Sequence, residues 1–497
     1  MSNISHAADW VGERRADNVS LAPGISEDWL SLIIGLAIFL LALAGLANVN
    51  LIGWVVTTAV WSNLGAALNT ASATYRGLGG VGALVATYLA LLAVHGAAAL
   101  ALKSDLKKFA LAFTAVFFIA YASWIVGSYA NFAAVTPAEL QKFSITWSLK
   151  LTNEGGYIFA LLAGLVIANV FPRFAENIKD AVRPELYIKI AIVILGGVFA
   201  VTAAGKLSLA SSLLLRGVAA IIEAYLIYWS VVYLIARTWF GFSREWAAPL
   251  ASGISICGVS AAIATGGAIL ARPAVPIVVS SLVVIFAVVE VLILPLIAQT
   301  LLAHEPMVAG AWMGLAVKTD GAAVAAGGIT ESLILAQNAA EGINYQAGWV
   351  LGTATTIKVF IDIFIGVWAF VLGYIWTNHI NATGSKARAR EIWERFPKFI
   401  IGFVITFAGG LYLALATPAA IASKVPAAIG EANTFRVIFF ILTFFSIGVL
   451  SNFKRLWAEG IGKLAAVYFV TLFGFVIWVG LLISWLFFAG LKPPLVN

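Results

Sequence analysis

Two stretches of this 497-residue chain carry groups that are costly in hydrocarbon and useful in a binding site. The first, GISICGVSAAIATGG at 253–267, combines four glycines with the hydroxyls of Ser255, Ser260 and Thr265 and the thiol of Cys257. Such a composition either lets helices pack closely or permits an unwound break whose free backbone groups meet a ligand. Taken alone, the stretch leaves those readings evenly balanced. The second, GAWMGLAVKTDGAAVAAGG at 310–328, repeats the small-residue pattern and adds Lys318 and Asp320. A charge at mid-membrane costs roughly 2.5–3.5 kcal/mol on insertion scales, so these two should face protein or water, and each other or a ligand. The alternative is a structural ion pair. On an intact helix residues two apart lie on different faces, and a break near Gly321 would relax that limit.

Lys358 and Asp362 are four apart, share one helical face, and are expected to neutralise each other structurally. Glu223 and Glu290 are lone carboxylates in apolar runs, the kind of group that relays protons. Ser446, Ser451 and Asn452 sit in TFFSIGVLSNF at 443–453, either another broken helix or a polar helix end. The chemistry these residues allow is capture of an anion at the ends of half-helices, by unpaired N–H groups and the positive dipole end. The expected substrate-binding set is Gly253, Ser255, Cys257, Gly258, Ser260, Lys318 and Thr319. The expected coupling-ion set is Asp320, Glu223 and Glu290. The sequence contains no HExxH motif, no phosphate-binding P-loop, no nucleophile with a His base and no haem-type ligand pair, so no enzyme, ATP-driven pump, cofactor or metal is expected. One cysteine excludes an intramolecular disulfide, and four scattered histidines argue against zinc.

These residues must be positioned by helices inside a bilayer. Hydrophobic residues make up 62% of the chain and charged residues 11%, far from the usage of soluble domains. Apolar runs near 20 residues recur along its length, each able to cross about 30 Å of hydrocarbon as a helix. The expected fold is therefore an all-α polytopic membrane protein. Its thirteen crossings are placed at 30–48, 78–102, 109–133, 155–171, 186–204, 217–236, 247–271, 274–302, 309–329, 347–377, 398–416, 434–453 and 464–490. Residues 1–29 read as a polar cytoplasmic tail without the apolar core of a signal peptide. Residues 30–154 read as a three-span scaffold or dimer platform, and 155–490 as a transporter core. With the amino terminus inside, the inner loops carry 19 Lys and Arg and the outer loops 9, the bias of a bacterial inner-membrane protein. The formal charge of +7 is thus topological and implies no nucleic-acid partner. Residues 49–77 and 134–154, with Trp54, Trp61 and Trp147, read as outer interfacial segments in contact with lipid. The sequon-like Asn381, Ala382, Thr383 falls in an inner loop, as chance.

At SICGVSAAIA (255–264), GAWMGLAVKTDGAAVAAG (310–327) and SIGVLSNFKRLWAEG (446–460), the chain resembles the YeiH-like, UPF0324-type family of bacterial membrane transporters, named for sulfate export. The resemblance covers roughly residues 155–490. It implies a fold related to sodium/proton antiporters and bile-acid symporters, with two inverted repeats of about five helices and broken helices crossing at mid-membrane. It also implies a secondary transporter of sulfate, sulfite or another small anion, coupled to H+ or Na+. Many members carry His-Glu and a later Gln where this chain has Lys318, Thr319 and Ala323, which bears on the anion and the coupling ion. A cation/proton antiporter is the first rival reading, and a non-transporting scaffold or sensor the second.

Overall fold

A computed structural model describes residues 26–134, 137–149, 151, 155–272, 274–380, 393, 396–452 and 462–496. The expected tail up to residue 25, the sequon at 381–383, most of the basic loop at 386–395 and the family-like segment at 453–460 lie outside them. In chain order the helices are α1 (Glu27–Ala47), α2 (Ala73–Ala101), α3 (Leu106–Gly127), α4 (Gly155–Val170), α5 (Pro184–Ala204), α6 (Leu207–Thr238), α7 (Arg244–Ser255) and α8 (Val259–Ala268). They continue with α9 (Ala274–Leu302), α10 (Pro306–Ala316), α11 (Asp320–Ala340), α12 (Trp349–Ile380), α13 (Lys398–Leu415), α14 (Ala419–Leu450) and α15 (Gly462–Phe488). Among the described residues the only paired strands are β1 (Val56–Thr58) and β2 (Leu68–Thr70), antiparallel with Val56 opposite Thr70, in the expected interfacial stretch.

Ten of these helices are long and apolar enough to cross a membrane, and α4 makes an eleventh if it is taken with the helix at Pro172–Ala181, to which it is bent by 116°. Pro172 cannot donate to the helix before it, and the chain turns there. α1 begins before the expected residue 30. Ser26 caps it by accepting the Trp29 N–H, and the first-turn acids suit the positive helix end. Those acids also reach across to α5: Glu27 to Arg183 at 2.7 Å and Asp28 to Lys189 at 2.7 Å. α5 is enclosed on nearly every side, by α1, α13 and α14.

Elsewhere backbones meet directly. A methyl group on Gly164 of α4 would lie 2.3 Å from the Phe445 carbonyl, and one on Gly448 of α14 would lie 2.3 Å from the Leu161 carbonyl. The amino-terminal helices are not separate from the rest, since α3 packs on α4 and α14.

The principal departure from expectation concerns 247–271 and 309–329, which do not cross. α7 and α8 run antiparallel: the Thr265 hydroxyl donates to Ser252 at 2.7 Å, and Arg272 pairs with Glu245 at 3.0 Å at the open end. The chain between Ser255 and Val259 is the tip of a hairpin that returns to the side from which it came. α10 and α11 do the same. Asn338 Nδ2 donates to the Ala303 carbonyl at 2.7 Å, and His304 faces Glu341 at 3.7 Å. Halfway along, Gly310 and Gly327 both pack on the Val350–Ala354 stretch of α12. Between the two hairpins runs α9, whose 29 residues extend about 43 Å, enough to carry the chain across the membrane. The hairpins therefore open toward opposite faces. The halves of the first, 12 and 10 residues, and the 11-residue first half of the second are too short to cross alone, while the 21-residue α11 is long enough but ends beside Ala303, where its hairpin began.

Candidate functional site

The two hairpin tips meet. At the first, Gly258 has φ of +70°, a conformation that side-chain-bearing residues rarely adopt. A methyl group there would lie 2.5 Å from Val283 Cγ1 on α9 and 3.1 Å from both the Lys318 carbonyl and Thr319 Cγ2 at the second tip. The break in the first hairpin is 256–258, within the expected stretch. The break in the second is 317–319, a little before the expected Gly321. Thr319 caps α11 by accepting the Ala322 N–H at 3.1 Å, which leaves Asp320 as the first helical residue.

Two clusters flank this junction, and they separate Lys318 from Asp320. On one side the Asp320 and Asp362 carboxylates and the Cys257 thiol place ligating atoms within 4.8 Å of one another, all buried. Asp320 Oδ1 and both Asp362 oxygens have no hydrogen-bond partner outside this pair. Two carboxylates this close share protons or hold a cation more readily than they both stay charged. Lys358 supplies a compensating field from α12. Its ammonium does not form the expected pair with Asp362. It donates to the Ile256 carbonyl at 2.7 Å, the Lys318 carbonyl at 3.3 Å and the Val317 carbonyl at 3.5 Å, capping both breaks at once. The one-turn spacing does put the two residues on a shared face, but the carbonyls that the breaks leave unpaired attract the ammonium more strongly.

On the other side lies Lys318. Its backbone N–H donates to Glu290 Oε2 of α9 at 3.0 Å. Its ammonium donates to the Leu315 carbonyl and lies 4.3 Å from the centre of the Tyr228 ring. Among the described residues neither Lys318 nor Lys358 forms an ion pair with a carboxylate. Glu223 is buried at the start of a π-helical turn in α6 that runs to Tyr228, and its carboxylate has no partner beyond the Tyr228 side chain. Such turns widen a helix locally and are frequent at functional sites. Tyr228 is in turn fixed by donating to the Val476 carbonyl at 2.8 Å.

The remaining expected residues divide. Ser255 ends α7 with its hydroxyl buried and unpartnered, so it is available to a ligand. Ser260, on the first turn of α8, is only half-buried. Gly253 lies against Val279 and Val283, which gives it a packing role. The polar stretch at 443–452 is a helix end: α14 runs to Leu450, Asn452 donates to the Ala168 carbonyl at 2.8 Å, and Asn169 to the Ser451 carbonyl at 3.0 Å. Sequence reasoning passed over Asp362 as a site residue, although its charge within an apolar run was the signal. It also missed Glu331, whose carboxylate accepts the N–H groups of Gly348, Val350 and Leu351 at the start of α12, at 2.9, 2.8 and 3.1 Å.

The family described as "Conserved hypothetical protein 698" matches residues 145–467. A UPF0324 membrane protein of Nitrosomonas europaea is 40% identical over 479 residues, 95% of this chain and 97% of that protein. An uncharacterized protein of Archaeoglobus fulgidus is 47% identical over 182 residues, 32% of this chain and 95% of its own. A UPF0324 membrane protein of Rhodopirellula baltica is 31% identical over 333 residues, 65% of this chain and 55% of its own. No solved structure matches. The Nitrosomonas match is too long to leave out the three amino-terminal helices, so the likeness extends beyond the expected 155–490.

Proposed function

The chain belongs to the UPF0324 family of multi-pass membrane proteins, and we propose that it is a secondary active transporter of a small anion, with its site where the hairpin tips meet. The observation that carries this reading is the tip-to-tip junction of two hairpins opening toward opposite faces. There the amino-terminal ends of α8 and α11 bring first-turn N–H groups and positive dipole ends to one place, beside the unpartnered Ser255 hydroxyl. Asp320 and Asp362 take the coupling H+. Glu223 and Glu290 hold the Lys318 side of the junction. Because each tip is reached from its own face, a small displacement of the hairpins exposes the site alternately.

The amino terminus is cytoplasmic in this reading. Placing both ends of the first hairpin on one side moves Arg272 to the inner face, which sharpens the Lys and Arg bias found in the sequence. The substrate class is an inorganic oxyanion of the sulfate or sulfite kind or a small organic anion, and the protein is neither an enzyme nor a metal or cofactor carrier. It works in the bacterial inner membrane, with lipid around it and a homodimer as its assembly.

Uptake of radiolabelled sulfate and sulfite into proteoliposomes, with imposed pH or Na+ gradients and competing anions, tests it. Ser255→Ala, Lys318→Ala and Asp320→Asn should each lower transport, and unchanged rates in all three would sink the site. A cation/proton antiporter is the second reading, favoured by the carboxylate pair. It is distinguished by Na+- or K+-driven proton movement with no anion present.

A further inference from the structure

Helix ends inside a membrane leave carbonyls that must find a positive partner. In this chain α7 ends at Ser255 and α10 at Ala316, each with roughly half a negative charge at its terminus. The carbonyls just past those ends, Ile256 from one hairpin and Val317 and Lys318 from the other, converge on a single point. That point is occupied by Lys358 Nζ, at 2.7, 3.5 and 3.3 Å respectively. Unwound carbonyls gathered from discontinuous helices are the usual means by which transporters hold Na+.

We propose that the Lys358 ammonium is a resident cation that fills this carbonyl cradle, so that the protein binds no Na+ between its hairpin tips and its transport does not require Na+. An ammonium can replace a metal ion here because the cradle is built of oxygens from two separate breaks and asks only for one compact positive charge with several donors. Being fixed to α12, it cannot be released to either side, and so it cannot be the ion whose gradient drives a cycle. Its removal would leave three carbonyl oxygens facing an empty position near the carboxyl groups of Asp320 and Asp362. A lysine that merely completed packing would leave no ion selectivity behind when replaced.

The consequence for coupling rests on the transporter reading, but the binding test does not. Purified protein in detergent, without substrate, is unfolded thermally in NaCl, KCl and choline chloride at equal ionic strength, and radiolabelled Na+ binding is measured in parallel. Wild type should show no Na+-specific shift and no saturable Na+ binding. Lys358→Ala should gain both, with a Na+-specific rise in Tm of about 2–4 °C. If Lys358→Ala is not monodisperse, Lys358→Ser, which is too short to fill the cradle, carries the same test, and the wild-type arm decides by itself. Saturable Na+ binding by wild type, or a folded Lys358 variant that ignores Na+, overturns the proposal. Loss of all anion transport in proteoliposomes would overturn the transporter reading and leave this one standing.

Discussion

Gly258 and Lys318 touch through their backbones, so that a methyl group on the first would lie 3.1 Å from the carbonyl of the second. They are sixty positions apart, at the tips of hairpins that enter from opposite sides. Gly258→Ala must both hold an alanine at positive φ and push the second tip away, at a cost of roughly 1–3 kcal/mol. A lowered Tm together with loss of transport, while the protein still inserts and purifies, is the expected result. Wild-type transport in Gly258→Ala would separate the tips from function.

Asp320 and Asp362 should behave as one unit. Asp320→Asn and Asp362→Asn are each expected to lower coupled transport by about tenfold or more, with the double variant no worse than either, because residues in one cluster are not additive. Initial rates under an imposed pH gradient measure it. Multiplying effects would assign the two carboxylates to separate steps.

Sidedness gives a prediction independent of transport. In a Cys257→Ser background, single cysteines at Gly241 and Leu270 should be labelled by an impermeant maleimide from the same side, and cysteines at His304 and Gly342 from the other. Opposite labelling of Gly241 and Leu270 would restore a crossing helix at 247–271.

Glu331 closes the amino-terminal end of α12 with three N–H acceptances. Glu331→Ala removes a buried cap and should destabilise the protein by about 1–3 kcal/mol, while Glu331→Gln, which keeps one acceptor oxygen, should cost less. Thermal unfolding in detergent reads the order. A neutral Glu331→Ala would mean that water reaches those N–H groups.

How much of this was legible in the sequence differs from residue to residue. Composition identified the membrane as the solvent, and the cost of burying charge singled out Lys318, Asp320, Glu223 and Glu290, all of which lie at or beside the tips. Glycine and hydroxyl content located both breaks to within a few residues. What composition does not encode is direction after a break: a 25-residue apolar stretch can cross once or enter and return, and the contacts of Thr265 with Ser252 and of Arg272 with Glu245 distinguish them. Lys358 was misread for a related reason. Spacing rules speak about neighbours on one helix, whereas its nearest acceptor, Ile256, is 102 positions away.

The backbone contact between Gly164 and Gly448 has a mechanical consequence. Two helices separated by side chains can slide, because rotamers rearrange as they pass, but at these two glycines α4 and α14 meet with no such layer between them. They are welded, and any stroke that carries the hairpins must treat this pair as its stator, with the hinge placed elsewhere.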